Sequence, residues 1–123
     1  MNTLESKIAY ATAVMAMNLN ADAIVCYTNT GDSARRFSGL GVGCPVFAIT
    51  DNRRTFNQLA LAWNVTPVYV EQKDNIDKVI EEGIEKLKQK EILEKGDMVV
   101  VSGGAKWLAT AEDSKTIGGI AKI

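Results

Sequence analysis

The sequence predicts an α/β fold, a three-layer α/β/α arrangement around a mixed, mostly parallel sheet of five strands whose last strand is antiparallel. Short apolar runs, long enough for a buried strand and too short for a helix of several turns, recur along the chain. Segments with apolar residues at helical spacing lie between them. The junctions carry hydroxyl, amide, carboxylate and glycine residues that start and stop helices. Such alternation argues for parallel strands with helices on both faces of one sheet.

Residues 4–19 read as a helix, with Leu4, Ile8, Ala11, Met15 and Leu19 on one apolar stripe. Ala9, Thr12, Ala13 and Ala16 keep its other faces small, which suits close packing against a sheet or a neighbouring subunit, and Asn20 ends it. Residues 22–27 form a buried strand, followed by the turn 28–33. A helix beginning at Ser33 carries Ala34, Arg35, Arg36 and Phe37 and stops at the glycine cluster 39–43. Residues 45–49 are the second strand, and Thr50-Asp51-Asn52 caps a helix over 53–63 that sets Phe56, Leu59, Ala60 and Trp63 on one side, with Trp63 in the core. Its Arg53-Arg54 pair reads as a solvated first turn, although two cations opposing the helix dipole also point to an anion or carboxylate partner nearby.

Asn64 separates that helix from a third strand over 65–70, with Pro67 near the strand start. Asp74 caps the next helix, with Asp77 at its third position, and Ile76, Val79, Ile80, Ile84 and Leu87 form its buried face. Glu82 and Lys86 are an i,i+4 pair on its outside, worth about 0.2–0.5 kcal/mol, within a solvated charge run over 81–95. Gly96-Asp97 turns the chain into the strand 98–102, Gly103-Gly104 opens a loop, and 116–123 is the last strand. No helix fits between those two strands, so they pair antiparallel, since a parallel pair needs a longer crossover.

A chain of 123 residues with 46% apolar and 24% charged residues is one soluble globular domain. Its net charge of −1, with both signs interspersed, excludes the basic face of a nucleic-acid binder. No apolar run is long enough to span a bilayer and no signal-peptide pattern begins the chain, which places it in the cytoplasm without a membrane partner. Cys26 and Cys44 lack metal or redox spacing and read as buried free thiols in a reducing compartment. There is no histidine, which removes Ser-His-Asp and Cys-His chemistry and histidine-based zinc sites.

The run Thr28-Asn29-Thr30-Gly31-Asp32-Ser33 carries the strongest functional signal. It joins a strand to a helix, and a helix's first turn leaves N–H groups unpaired at the positive end of its dipole. Thr28, Thr30 and Ser33 add hydroxyls, and Gly31 allows close approach of a ligand. The competing reading is an ordinary turn with Asp32 or Ser33 as N-cap. Trp107, in a polar glycine-bordered loop, reads equally as a ligand or subunit contact or as packing.

The segments 8–11, 23–25 and 28–35 together resemble the C-terminal domain of pyruvate kinase. So do 45–50, Arg54-Thr55 leading to 58–61, 65–68 and 95–103, in order across essentially the whole chain. The resemblance implies an allosteric domain with no catalytic residue and no metal site. A separate barrel domain would hold Mg²⁺ and K⁺ and transfer phosphate from phosphoenolpyruvate to ADP in glycolysis. It further implies a homotetramer with C-terminal domains in contact, and a sugar phosphate or nucleotide monophosphate effector held by Thr28, Asn29, Thr30, Gly31, Asp32 and Ser33. The loop after the fourth strand, 104–115, would close over that ligand with Lys106 and Trp107. This sequence departs from the family pattern where basic side chains are common, with Asn29 and Asp32 in their place. Two other functions are open on the residues: a purely structural assembly domain with a vestigial loop, and a small enzyme using Asp32, Asp51 or Lys106.

Overall fold

A computed structural model of the chain describes residues 4–103, 116–117 and 120–123. The order is α1 (Leu4–Asn18), β1 (Ala23–Tyr27), α2 (Asp32–Leu40), β2 (Val46–Thr50), α3 (Arg53–Leu59), β3 (Val65–Tyr69), α4 (Ile76–Gln89), β4 (Met98–Ser102), β5 (Thr116–Ile117) and β6 (Ile120–Lys122). The sheet order is β3-β2-β1-β4-β6-β5. The first four strands are mutually parallel, with Val25 beside both Phe47 and Val101. β6 runs antiparallel to β4, and β5 antiparallel to β6. The expected single strand over 116–123 is thus two short ones, and the sheet has six strands rather than five. They flank Gly118-Gly119, which have little strand propensity.

Alternation along the strands divides the core in two. Val25, Phe47, Ile49, Val99 and Val101 pack with α4 through Val79, Ile80, Ile84 and Leu87. Ile24, Cys26, Val46, Ala48 and Val100 face the other way, toward Ala9, Ala13 and Ala16 of α1, Ala34 and Phe37 of α2, and Leu59 of α3. Among the described residues, one helix therefore covers one face of the sheet and three cover the other. α4 comes so close to β2 that a methyl group at Gly83 would meet Ile49, with Cγ1 at 2.7 Å. Burial pushes the Cys26 thiol up to about 12. Cys44, expected to be buried, is half-exposed, and its thiol is raised by partial burial and by Asp22.

Several local expectations change. In α1 the buried stripe is Ala9, Thr12, Ala13 and Ala16, whereas Ile8, Tyr10 and Met17, with Leu19 just beyond the helix, face outward. Two stripes at helical spacing were available, and the small one permits the close approach of α1 to α2 and β4. α2 begins at Asp32, with Gly31 as N-cap at φ 95° and no side-chain cap, so neither Asp32 nor Ser33 fills that role. It runs past Gly39 and stops at Gly41, φ 61°.

α3 ends at Leu59 rather than Trp63. The following turn takes Trp63 off the helical register, leaving its side chain 72% exposed instead of in the core. Ser38 Oγ donates to the Trp63 carbonyl at 2.7 Å, tying that turn to α2. α4 is capped by Asn75, whose Oδ1 accepts from the Lys78 N–H at 3.0 Å, so Asp74 is not the cap and Asp77 lies one position earlier than expected. Asp74 instead pairs with Lys78 Nζ at 3.3 Å. Glu82 pairs with Lys73 at 3.0 Å, and Lys86 Nζ donates to the Tyr69 carbonyl at 2.8 Å, so the expected Glu82–Lys86 pair gives way to partners offered by β3 and its exit loop.

Candidate functional site

The topology singles out one end of the sheet. From β1 the chain moves outward through β2 to β3, then α4 carries it back to β4 on the other side of β1. In open parallel sheets ligands bind beyond the carboxyl ends of the strands, where the order reverses in this way. Here that crevice lies at the ends of β1 and β4, beside residues 28–33.

The loop is held from inside. Thr28 is buried, and its Oγ1 accepts the Gly31 N–H at 2.7 Å. Thr30 Oγ1 accepts the Asp32 N–H at 3.4 Å. Asn29 is fastened sideways: the Thr55 hydroxyl donates to its carbonyl, and Asn52 Nδ2 donates to its Oδ1 at 3.4 Å. Asn52 also caps α3, accepting from Arg54 N at 3.0 Å and Thr55 N at 3.2 Å. The N–H groups of Ser33 and Ala34, in the first turn of α2, lie beyond the reach of the helix's own ladder.

Arg35 turns back from α2 toward the loop. Its Nη1 donates to the Thr30 carbonyl at 3.2 Å and stands 3.5 Å from Asp32 Oδ1. The guanidinium lies so near Gly31 that a Cβ there would meet Nη1 at 2.8 Å. One helical turn on from Gly31, this arginine is the cation that the loop's own sequence lacks. Across the crevice Gly103 follows β4 at φ 108°, where a Cβ would stand 3.0 Å from the Tyr27 carbonyl, so only glycine lets the chain leave β4 this close to β1. Lys106, Trp107 and the rest of 104–115 lie outside the described residues.

Beside the loop an open groove of about 700 Å³ is walled by Tyr27, Asn29, Asp51, Arg53, Tyr69 and Gln72, among others. The Tyr27 hydroxyl donates to Asp51 Oδ1 at 2.9 Å. Burial, then the bond and charge of Asp51, hold the phenol up at about 12, so Tyr27 remains a neutral donor. Arg53 Cζ lies over the Tyr69 ring, 4.2 Å from its centroid, and Phe56 meets that ring edge-on with centroids 6.1 Å apart. Arg53 thus rests on an aromatic face, with the Asp51 carboxylate in the same groove. The roles of Tyr27, Thr55 and Tyr69 were missed from the sequence. They fall at strand ends and in a first helical turn, where periodicity carries no information.

Among the described residues no group of three or more carboxylate, thiol or imidazole side chains stands together as a metal cage. No described helix is long and apolar enough to cross a membrane.

Comparison with known proteins agrees with this architecture. Residues 6–115 match the family described as pyruvate kinase, alpha/beta domain. The pyruvate kinase of Clostridium acetobutylicum is 33% identical over 97 residues, covering 79% of this chain and 20% of the relative. That of Sporosarcina psychrophila is 30% identical over 97 residues, covering 79% of this chain and 17% of the relative. The solved pyruvate kinase of Cryptosporidium parvum shares the fold with a TM-score of 0.77 at 23% identity, covering 85% of this chain and 21% of that one. The chain thus spans about a fifth of the length of these relatives. By the family match over most of its length, this chain belongs to the pyruvate kinase family, as its C-terminal α/β domain.

Proposed function

We propose that this chain is the regulatory and assembly part of a pyruvate kinase, binding a phosphorylated effector on the Thr28–Ser33 loop. Phosphoryl transfer from phosphoenolpyruvate to ADP belongs, in this reading, to a separate barrel domain with its Mg²⁺ and K⁺, and the chain alone is not catalytic. The carrying observation is Arg35, folded back against Gly31 and Thr30. It offsets Asp32, whose carboxylate would otherwise repel a phosphate. Phosphate oxygens would take the N–H groups of Ser33 and Ala34 and the hydroxyls of Thr30 and Ser33, with Lys106 and Trp107 closing from the loop after β4.

Calorimetric titration with inorganic phosphate and fructose 1,6-bisphosphate tests this. A hydrogen bond to a charged group is worth roughly 1.5–3 kcal/mol, so Arg35→Ala and the double variant Thr30→Ala, Ser33→Ala should each weaken binding about tenfold to a hundredfold. Affinity unchanged in both would reduce the loop to a turn.

An assembly role has its own support. Ile8, Tyr10, Met17 and Leu19 leave α1 with an apolar outer face, Tyr10 being 62% exposed. A helix with large apolar side chains on its outer as well as its inner face is ordinarily covered on both. In this reading the homo-oligomer forms through that face. Tyr10→Lys with Met17→Lys should shift the sedimentation coefficient to that of a monomer without lowering helicity. Equal sedimentation of variant and wild type would remove α1 from the interface.

A further inference from the structure

We infer that the outer edge of β3 is closed to strand addition: Pro67 removes the backbone donor at its centre, and Lys86 holds the carbonyl at its end. The partner this surface refuses is a second copy of the same chain, which would otherwise extend the sheet edge to edge.

Topology leaves the edge open. β3 ends the sheet, with β2 as its neighbour among the described strands. Two bonds fix which backbone groups are spent on β2. The Val46 N–H donates to the Asn64 carbonyl at 3.3 Å, and the Val70 N–H donates to the Thr50 carbonyl at 3.0 Å. Successive residues of a strand direct their backbone groups to opposite sides. Asn64, Thr66, Val68 and Val70 therefore face β2, and Val65, Pro67 and Tyr69 turn their backbone outward.

An edge of this kind is a template for another strand. Residues 65–70 carry no charge and, the proline apart, are all β-branched or aromatic. Without Pro67 the segment would have the composition of one that stacks into sheets between molecules.

Two side chains guard it. Pro67 is the middle one of the three outward residues of β3 and has no N–H. A strand arriving in either direction must place a carbonyl there, and that carbonyl would meet the pyrrolidine ring and be buried without a donor. Lys86 reaches across from α4, its Nζ donating to the Tyr69 carbonyl at 2.8 Å. An incoming N–H would have to displace this ammonium group, and a hydrogen bond from a charged donor is stronger than one between neutral groups. Of the three outward residues, that leaves Val65 with both a donor and an acceptor to offer.

Charge adds a further obstacle for a second copy. A groove of about 280 Å³ lies along this edge, lined by Pro67, Tyr69, Lys86 and Lys90 among others. Lys90 stands one helical turn beyond Lys86. Two copies paired at β3 would bring both lysines of each chain to one seam, where like charges repel.

The test is sedimentation of the whole chain over a range of concentrations, with hydrogen exchange followed at the Tyr69 amide. Pro67→Val restores the missing donor, and Lys86→Met frees the carbonyl while keeping a long side chain. The double variant should self-associate at least about tenfold more tightly than wild type, the worth of roughly one hydrogen bond. In the associated species the Tyr69 amide, which points off the sheet, should exchange about tenfold more slowly. Each single variant should lie between. A far-UV spectrum and a thermal midpoint like those of wild type show that the fold is kept. Should Pro67→Val unfold the chain, Pro67→Ala restores the same N–H with less bulk and Lys86→Met leaves the strand unaltered, and both should associate more tightly than wild type. Folded variants that sediment like wild type at every concentration would overturn the inference. So would association that leaves exchange at Tyr69 unchanged, because the contact would then lie elsewhere.

Discussion

Replacing Gly83 by leucine should destabilise the native state severely. Even one methyl group at this position of α4 would press on Ile49 of β2, which has no exposed surface through which to yield. Three atoms of that isoleucine lie within the clash, so a rotamer change at its tip does not relieve it. Overpacking a well-packed core costs typically ~1–3 kcal/mol and occasionally more, and a leucine here belongs at or above the upper end. Against a total stability of about 5–15 kcal/mol this is a large share. The thermal midpoint, followed by circular dichroism, should fall by on the order of 10 °C or more. Gly83→Ala separates the causes. Alanine gains about 1 kcal/mol in helix propensity, so a net loss would have to come from the contact with Ile49. A Gly83→Leu protein that melts with the wild type would show that α4 has room to move off the sheet.

Phe37→Ala should cost about 3–5 kcal/mol, the range for removing a buried phenylalanine. Phe37 is the largest fully buried side chain among the described residues, and it seats α2 against the alanine face of α1 and the inner side of β1 and β2. Its second effect is functional. The same helix presents Arg35 to the loop, so a loosened α2 should also weaken phosphate binding. Denaturant titration and calorimetry on one preparation would show both losses. A protein that lost stability but bound phosphate as before would mean that Arg35 reaches the loop independently of how α2 is packed.

The parallel core of this fold was legible because its strands are continuous apolar runs, and Val25, Ile49 and Val100 leave few other readings. What escaped was decided by packing. In α1 both the large stripe and the small stripe have helical spacing, and only the distance to α2 chooses between them. Trp63 looked internal because the periodicity of α3 was carried through a turn that the backbone makes at Leu59. Gly83 falls on the buried face by register with Val79, Ile80 and Leu87, yet a glycine in a sequence announces permissiveness and not proximity. At the site, the loop was visible as a strand–turn–helix pattern. Arg35 was legible as a candidate cation one turn on, but the direction of its side chain was not. Asp51 and Tyr27 meet across adjacent strand ends, a pairing that only sheet register reveals.

The position of β1 has a consequence for the order in which this molecule comes together. Among the described strands it comes first in chain order and it lies inside the parallel sheet, yet Ala23 waits for Val99 before its second edge is paired. Contacts that close such long stretches of chain form slowly. The crevice between β1 and β4 is therefore absent from any species in which the last parallel strand has not docked, although the loop at its rim is already present. A ligand there would be felt by the whole fold and not by one loop. At a hundredfold excess over its dissociation constant it would add about 2.7 kcal/mol to global stability. A ligand there would, on this view, favour the completed sheet over every species in which β4 has not yet docked beside β1.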